Sequence, residues 1–333
     1  MVGLLLRVIL SPQHLEPVVF PYYDEKAKSV SIAGDFNAWS EPIPMATKGA
    51  RWGKSFFLPD NARIEYKIVV DGKWILDPEN PAKIDNGIGG ENSVWTGPKY
   101  RFTVHDKAPK HPMTRSEIKV GGRTIVVFAP KQSTGLPTLI YGDGPNYEKN
   151  GRIQNVFQNL VERGKIRPAV IVLVPPIDRM KEYGNDWRPY GEFIFGQVLP
   201  AVCKATGASG KAADTFMGGS SLGGLISLRL AEEFPQQLAG GIHCQSSAIQ
   251  WSALGLKYNE AASRAKLRQI SGHTRIWIDW GDFEEKLTEA NVGLSQALEL
   301  MRRPFGSKTT PEGHTWTAWR NRMEAGLTYL FGK

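Results

Sequence analysis

The chain has 333 residues, room for two domains or one large one. Its 41% hydrophobic and 22% charged residues are ordinary globular values that exclude a mainly disordered, collagen-like or coiled-coil protein. With two cysteines, Cys203 and Cys244, neither a disulfide framework nor a cysteine-built zinc site is available. The net charge of +8 is unevenly spread: residues 1–105 hold 12 Lys+Arg and 12 Asp+Glu, and residues 106–333 hold 29 and 21. The excess in the second part reads either as a solvated basic surface or as one that attracts an acidic ligand. No basic run with interleaved aromatics suggests nucleic acid.

At the amino end the apolar stretch Val2–Leu10 is interrupted by Arg7 and runs into Ser11-Pro12 without a small-x-small cleavage site. It reads as neither a signal peptide nor a membrane span. A cytoplasmic protein is therefore expected, or a secreted one if a leader has been lost. Four strand-like runs follow, Val18–Phe20, Ser29–Ala33, Lys54–Leu58 and Ile64–Val70, separated by turn clusters such as Asp71-Gly72. They predict a small immunoglobulin-like β-sandwich over 1–105. Residues 106–115, rich in Lys, Pro and His without an apolar period, read as a linker.

From Ser116 the texture changes. A hairpin is predicted over Ile118–Phe128 around Gly121-Gly122. Then solid apolar strands (Thr138–Tyr141, Ala169–Val174) alternate with helical patterns (Val156–Arg163, Phe193–Lys204). That alternation predicts an α/β domain over 116–333 with a mostly parallel sheet covered on both faces.

The sharpest local pattern is Gly219, Ser221 and Gly223 in Thr215–Leu228, a G-x-S-x-G placed between a short strand and a helix. A nucleophile on so sharp a turn needs small neighbours, so that strand and helix approach and the hydroxyl stands clear. Such a serine needs a base and an orienting acid, expected in the order serine, acid, histidine. Of the histidines after Ser221, His243 lies inside the apolar run Gly241–Cys244, and His273 precedes the strand Arg275–Trp280 at the end opposite to catalysis. His314, in a loop entering the last helix, remains. The acid is expected in Gly281–Glu285, where the third position after the strand-ending glycine selects Glu284, with Asp282 as runner-up. For the oxyanion hole, one donor is the N–H of Leu222. The second is Gly144 or Asn146 in the loop after Tyr141, because Pro145 between them has no N–H.

These residues together resemble the enterochelin-esterase branch of the α/β-hydrolases, a superfamily that also holds feruloyl esterases and mycolyltransferases. The resemblance covers about 116–333 and is carried by Asp143–Tyr147, Pro175–Tyr183, Gln245–Ala248 and Gly313–Arg320, the last like that family's G-H-x-W-x-x-W-R. It implies Ser221 as nucleophile, His314 as general base and acid and Glu284 as orienting carboxylate, with no metal or other cofactor. An acyl-enzyme is formed and released to water. It also implies that Arg179, Tyr183, Trp187 and Arg188 line the substrate cleft.

The first domain resembles the glycogen-binding modules of the AMP-activated kinase β subunit and the early-set sandwiches of branching enzymes, through Val30–Trp39, Tyr66–Trp74, Asp77-Pro78 and Glu91–Val94. The resemblance places Trp39 and Trp74 as sugar-stacking aromatics and Lys67 and Asn92 as hydroxyl partners. The alternative is a spacer that completes the active-site wall. The expectation is a serine esterase acting on aromatic acyl esters linked to carbohydrate. Catecholate siderophore esters, and acyl transfer instead of hydrolysis, are the alternatives; a non-catalytic glycan scaffold is disfavoured by the retained Ser221, His314 and carboxylates. No membrane partner is expected.

Overall fold

The computed structural model describes residues 14–249 and 267–333. Packing divides the chain into two compact units, Met1–Arg101 with Pro311–Gly313, and Phe102–Thr310 with His314–Lys333.

The first unit is a β-sandwich. One sheet orders the strands Leu15–Tyr23, Arg51–Pro59 and Ala46–Lys48, all antiparallel. The other orders Ile43–Pro44, Val30–Gly34, Arg63–Val70, Glu91–Thr96 and Lys83–Asp85, with Lys73–Ile75 also paired to Arg63–Val70. Alternation puts every second residue of a strand inward. Phe20 of the first sheet meets Tyr66 of the second at 4.8 Å between ring centroids, with Ile32, Ile64 and Ile68 buried around them. The turn at Asp71-Gly72 has positive φ at both residues, 47° and 81°, the geometry that a two-residue hairpin needs and that this dipeptide supplies.

The other face of Arg63–Val70 carries charge. Arg63 and Glu65 are both buried, so each must be paired to offset its lost hydration. Arg63 Nη1 donates to Glu65 Oε1 at 2.8 Å. The nearby Asp35 accepts from the Glu65 N–H at 2.7 Å and from Trp39 Nε1 at 2.9 Å. Burial first, and the Glu65 charge second, push Asp35 up to about 8 despite those bonds.

The second unit is built on one eight-stranded sheet in the order Thr114–Val120, Arg123–Ala129, Val170–Leu173, Thr138–Tyr141, Thr215–Ser220, Gly241–Gln245, Arg275–Gly281, Gly306–Thr310. Among the described strands the sheet is mixed, where a mostly parallel one was expected: five of its seven pairings are parallel. The first three strands pair antiparallel and the remaining pairings are parallel. The physical reason is the tight turn at Gly121-Gly122, both at positive φ, which folds the second strand straight back on the first. The parallel strands Thr138–Tyr141 and Val170–Leu173 are buried along their whole length. Both faces are covered, and that is why they read as unbroken apolar runs.

Helices Arg188–Phe193, Leu199–Thr206, Leu222–Glu233 and Lys286–Leu300 pack with Ile140, Val172 and Ile278 on one face. Helices Ile153–Glu162 and Trp316–Phe331 pack with Leu139, Ile171 and Phe216 on the other. Each buried Leu, Ile or Phe contributes about 1.5–3 kcal/mol by leaving water. In the stretch read as a linker, Asp106 is buried and pairs with Arg152 at 3.1 Å and Arg320 at 3.5 Å. Among the described residues no helix is long and apolar enough to cross a membrane.

Candidate active site

The carboxyl ends of the parallel strands carry the polar cluster that the sequence pointed to. Strand Thr215–Ser220 ends at Ser221, which turns directly into helix Leu222–Glu233 with φ 58° and ψ −120°. A side chain rarely adopts this backbone, and the strain is held by the packing around it. The turn closes because its flanks are glycine. A Cβ on Gly219 would lie 2.4 Å from the backbone of Gly223, and one on Gly224 would lie 2.2 Å from Ser247 Oγ. Ser221 stands at the first turn of that helix, where free N–H groups and the helix dipole favour developing negative charge. Leu222 N–H, the first of the helix, has no hydrogen-bond partner among the described residues.

The backbone ties this elbow to the neighbouring strand ends. Ser221 N–H donates to Gln245 O at 2.9 Å, and Ala248 N–H donates to Ser221 O at 3.1 Å. Ser246, next in the chain, gives its Oγ–H to Glu284 Oε1 at 2.7 Å. Glu284 Oε2 in turn faces His314 Nδ1 at 3.1 Å. Chain connectivity and four hydrogen bonds thus join the elbow, the loop after Arg275–Gly281 and the entry to the final helix. His314 keeps its ring partly open to solvent, whereas Glu284 is fully buried. Burial alone would raise the Glu284 carboxyl, but the bond to His314 and the charges of His314 and Arg322 outweigh it and hold Glu284 below the usual carboxylate range. It is therefore the acid that the structure brings to His314. Asp282 instead has its backbone N–H on Thr310 O at 2.8 Å.

On the other side of the elbow lies the loop after Thr138–Tyr141. Asp143 adopts φ 51° and begins the short helix Gly144–Lys149. Its carboxylate takes a bidentate pair from Arg179, Nε at 2.8 Å and Nη2 at 2.9 Å, and Arg179 Nη2 also reaches Ser220 O at 3.4 Å. Asp143 N–H donates to the hydroxyl of the fully buried Tyr183 at 2.9 Å. Gly144 N–H points to Val174 O at 3.3 Å and Asn146 N–H to Asp143 O at 3.0 Å. Trp187 is partly buried, with the guanidinium groups of Arg188 and Arg229 5.7 and 5.9 Å from its ring. His243 is fully buried between Tyr141 and Asp279 and is a strand-face residue.

In the sandwich unit, the strand register places Lys67, Trp74 and Asn92 on one face of the six-stranded sheet, opposite the face that carries Tyr66 and Ile68. Trp74 is 47% exposed. Asn92 is buried and gives its amide to Glu65 Oε2 at 2.9 Å. Trp39 has φ 57° and is tied through Nε1 to Asp35.

Sequence reasoning did not reach Asp279, Arg322 and Ser246. Arg322 is fully buried and donates to Asp279 Oδ1 at 2.7 Å and Ser246 Oγ at 2.8 Å. The signal was present in Ile276–Trp280, where Asp279 interrupts an otherwise apolar strand; a carboxylate there demands a buried partner.

The family match and the curated relatives, not the site geometry, define the class: a carboxylic-ester hydrolase on an α/β-hydrolase-like fold that follows an amino-terminal β-sandwich in the chain. Residues 119–330 match the Putative esterase family, and the chain belongs to it. Residues 16–95 match the Glycogen recognition site of AMP-activated protein kinase. The chain is similar to the Iron(III) enterobactin esterase of Escherichia coli, 24% identical over 272 residues that cover 77% of this chain and 67% of that protein. It is similar in fold to the enterobactin esterase of Shigella flexneri, TM-score 0.76 at 22% identity, covering 96% of this chain and 94% of that one. It is similar in fold to a ferulic acid esterase, TM-score 0.54 at 18% identity, covering 66% of this chain and 97% of that one.

Proposed function

We propose that the protein hydrolyses esters through an acyl-enzyme on Ser221, with His314 as general base and acid, Glu284 as its orienting carboxylate, and an aromatic acyl group on a carbohydrate as substrate. The observation that carries the mechanism is the chain of contacts from Ser221 through Gln245 and Ser246 to Glu284 and His314. With Nδ1 turned to Glu284, Nε2 is the ring nitrogen left to His314 for taking the Ser221 proton. Glu284 then faces the imidazolium, and stabilises it most where water is excluded. Oγ attacks the ester carbonyl, and the oxyanion forms at the Leu222 N–H. The second donor is Gly144, whose 3.3 Å bond to Val174 O is the longer of the two in that loop and the one an oxyanion displaces. The proton moves from His314 to the leaving alkoxide, and water repeats the sequence on the acyl-enzyme. Arg179, held by Asp143, contributes positive charge beside the elbow, and Tyr183 fixes the Asp143 backbone; Trp187 is assigned to the substrate cleft by the family resemblance.

The substrate reading rests on the match of residues 16–95 to a glycogen recognition site and on Lys67, Trp74 and Asn92 sharing one sheet face. A ring face stacks on the apolar C–H face of a sugar, and nearby polar groups orient its hydroxyls. A second reading, a catecholate siderophore ester, is favoured by the likeness to the enterobactin esterase over nearly the whole of both chains. Acyl transfer to a sugar uses the same three residues.

The test is turnover of methyl ferulate beside a catecholate trilactone, wild type against Ser221→Ala. Ser221→Ala should fold normally and lose at least about a thousandfold in kcat on whichever ester is cleaved. Retained activity would mean another nucleophile. Ferulate turnover supports the carbohydrate-linked reading, and trilactone turnover alone replaces it with the siderophore one.

A further inference from the structure

We infer that Arg322 is a positioning residue for the hydrolysis: it anchors Glu284, and through it His314, using Ser246 as the link and Asp279 as counter-charge. The inference rests on the Ser221, His314 and Glu284 reading.

The geometry is closed on every side. Arg322 Nε donates to Asp279 Oδ1 at 2.7 Å, Nη1 to Thr310 Oγ1 at 3.1 Å and Nη2 to Ser246 Oγ at 2.8 Å, and Nη2 stands 3.5 Å from Glu284 Oε1. Glu284 Oε1 also accepts from Ser246 Oγ at 2.7 Å and Gly281 N–H at 2.9 Å, which leaves Oε2 for His314 at 3.1 Å. Trp319 Nε1 holds Ser246 Oγ from the other side at 2.9 Å. Asp279 Oδ2 is in turn bonded to His243 Nε2 at 3.2 Å and Trp277 Nε1 at 2.9 Å.

Charge explains why an arginine is needed. Asp279, Glu284 and Arg322 are all fully buried. Two bare carboxylates so close together would drive one of them to take up a proton, and a protonated Glu284 no longer stabilises an imidazolium. Arg322 balances Asp279 and leaves the Glu284 charge to face His314. That charge is matched when His314 accepts the Ser221 proton. The planar fork of the guanidinium spans Asp279, Thr310 and Ser246 at once, and Ser246 in turn orients Glu284, a geometry an ammonium matches less well. Trp319 and Arg322 stand three residues apart on the final helix, and His314 lies just before its N-cap Thr315. One rigid element therefore sets both the base and the group that aims its acid.

The experiment measures kcat and KM on a soluble aryl ester for Arg322→Met and Arg322→Lys, each alone and in a Glu284→Gln background, with thermal unfolding alongside. Arg322→Met should lower kcat about 10–100-fold with KM within about threefold, the size usual for a group that orients a catalytic ligand. In the Glu284→Gln background the same change should cost less than about threefold. Arg322→Lys should recover part of the loss. Equal losses in both backgrounds, or a loss confined to KM, would overturn the inference. If Glu284→Gln alone costs nothing, the triad reading fails first, and the inference falls with it. Should Arg322→Met not fold, Ser246→Ala answers instead: a kcat loss that vanishes in the Glu284→Gln background supports the anchor, and a loss that persists there overturns it.

Discussion

The exchange that decides the acid is a single carboxylate. Glu284 accepts from Gly281 N–H and Ser246 Oγ on one oxygen and faces His314 on the other. Glu284→Gln should therefore lower kcat by about 10² to 10⁴, because the amide no longer balances the imidazolium, while Asp282→Asn should change it less than about threefold. Steady-state kinetics of the two variants on one ester check this, and the reverse order would reassign the acid. That Ser221, Glu284 and His314 stand at neighbouring strand ends could be read from small neighbours, a strand-ending glycine and chain order; their roles are the proposal. The place of Arg322 could not. Its partners Asp279, Ser246 and Thr310 come from three other strand ends, and only the register of parallel strands against the last helix brings them together. Nothing within a few residues of Arg322 records that register.

Elements repeat the contrast. Alternating or solid apolar runs announced the strands, and Asp71-Gly72 and Gly121-Gly122 announced their turns, since φ above zero is a property of the residues themselves. The π-helical turns Lys181–Asn185 and Ile194–Val198 left no such mark, because widening a helix by one residue per turn changes hydrogen bonding and not composition. The strand Arg63–Val70 carries its own testable chemistry through Asp35. Its folded-state value of about 8 lies above the ordinary 3.8, so the folded state holds more protons than the unfolded one between those limits. Stability of the sandwich is then greatest near the lower limit and falls as pH rises toward 8, by at most about 1.4 kcal/mol per pH unit. Asp35→Asn removes this dependence. Hydrogen exchange along Arg63–Val70, corrected for intrinsic rates, should show protection falling between pH 5 and 8 in the wild type and nearly flat in the variant. A wild-type profile as flat as the variant's would refute the raised value.

For the whole molecule the question is whether binding and hydrolysis are separable. Trp74 stands exposed on the sandwich, and the residues proposed for hydrolysis, Ser221, Glu284 and His314, all belong to the other unit. Trp74→Ala should weaken retention on glycogen about tenfold or more, through loss of ring stacking, with kcat/KM on a soluble ester within about twofold. Affinity electrophoresis and ester kinetics on one preparation check both halves; unchanged retention would end the case for that sheet face as a glycan site. The large sheet has a further consequence, which concerns solubility. Among the described residues it ends on Thr114–Val120 at one side and Gly306–Thr310 at the other, each pairing with one neighbour. An unpaired strand edge recruits other chains into amyloid-like stacks unless something discourages them. Arg115, Glu117 and Lys119 occupy every second position of the first edge and are exposed, and Lys308 stands exposed on the second. These side chains act as gatekeepers, keeping a sheet that must stay open at its ends from growing beyond its own molecule.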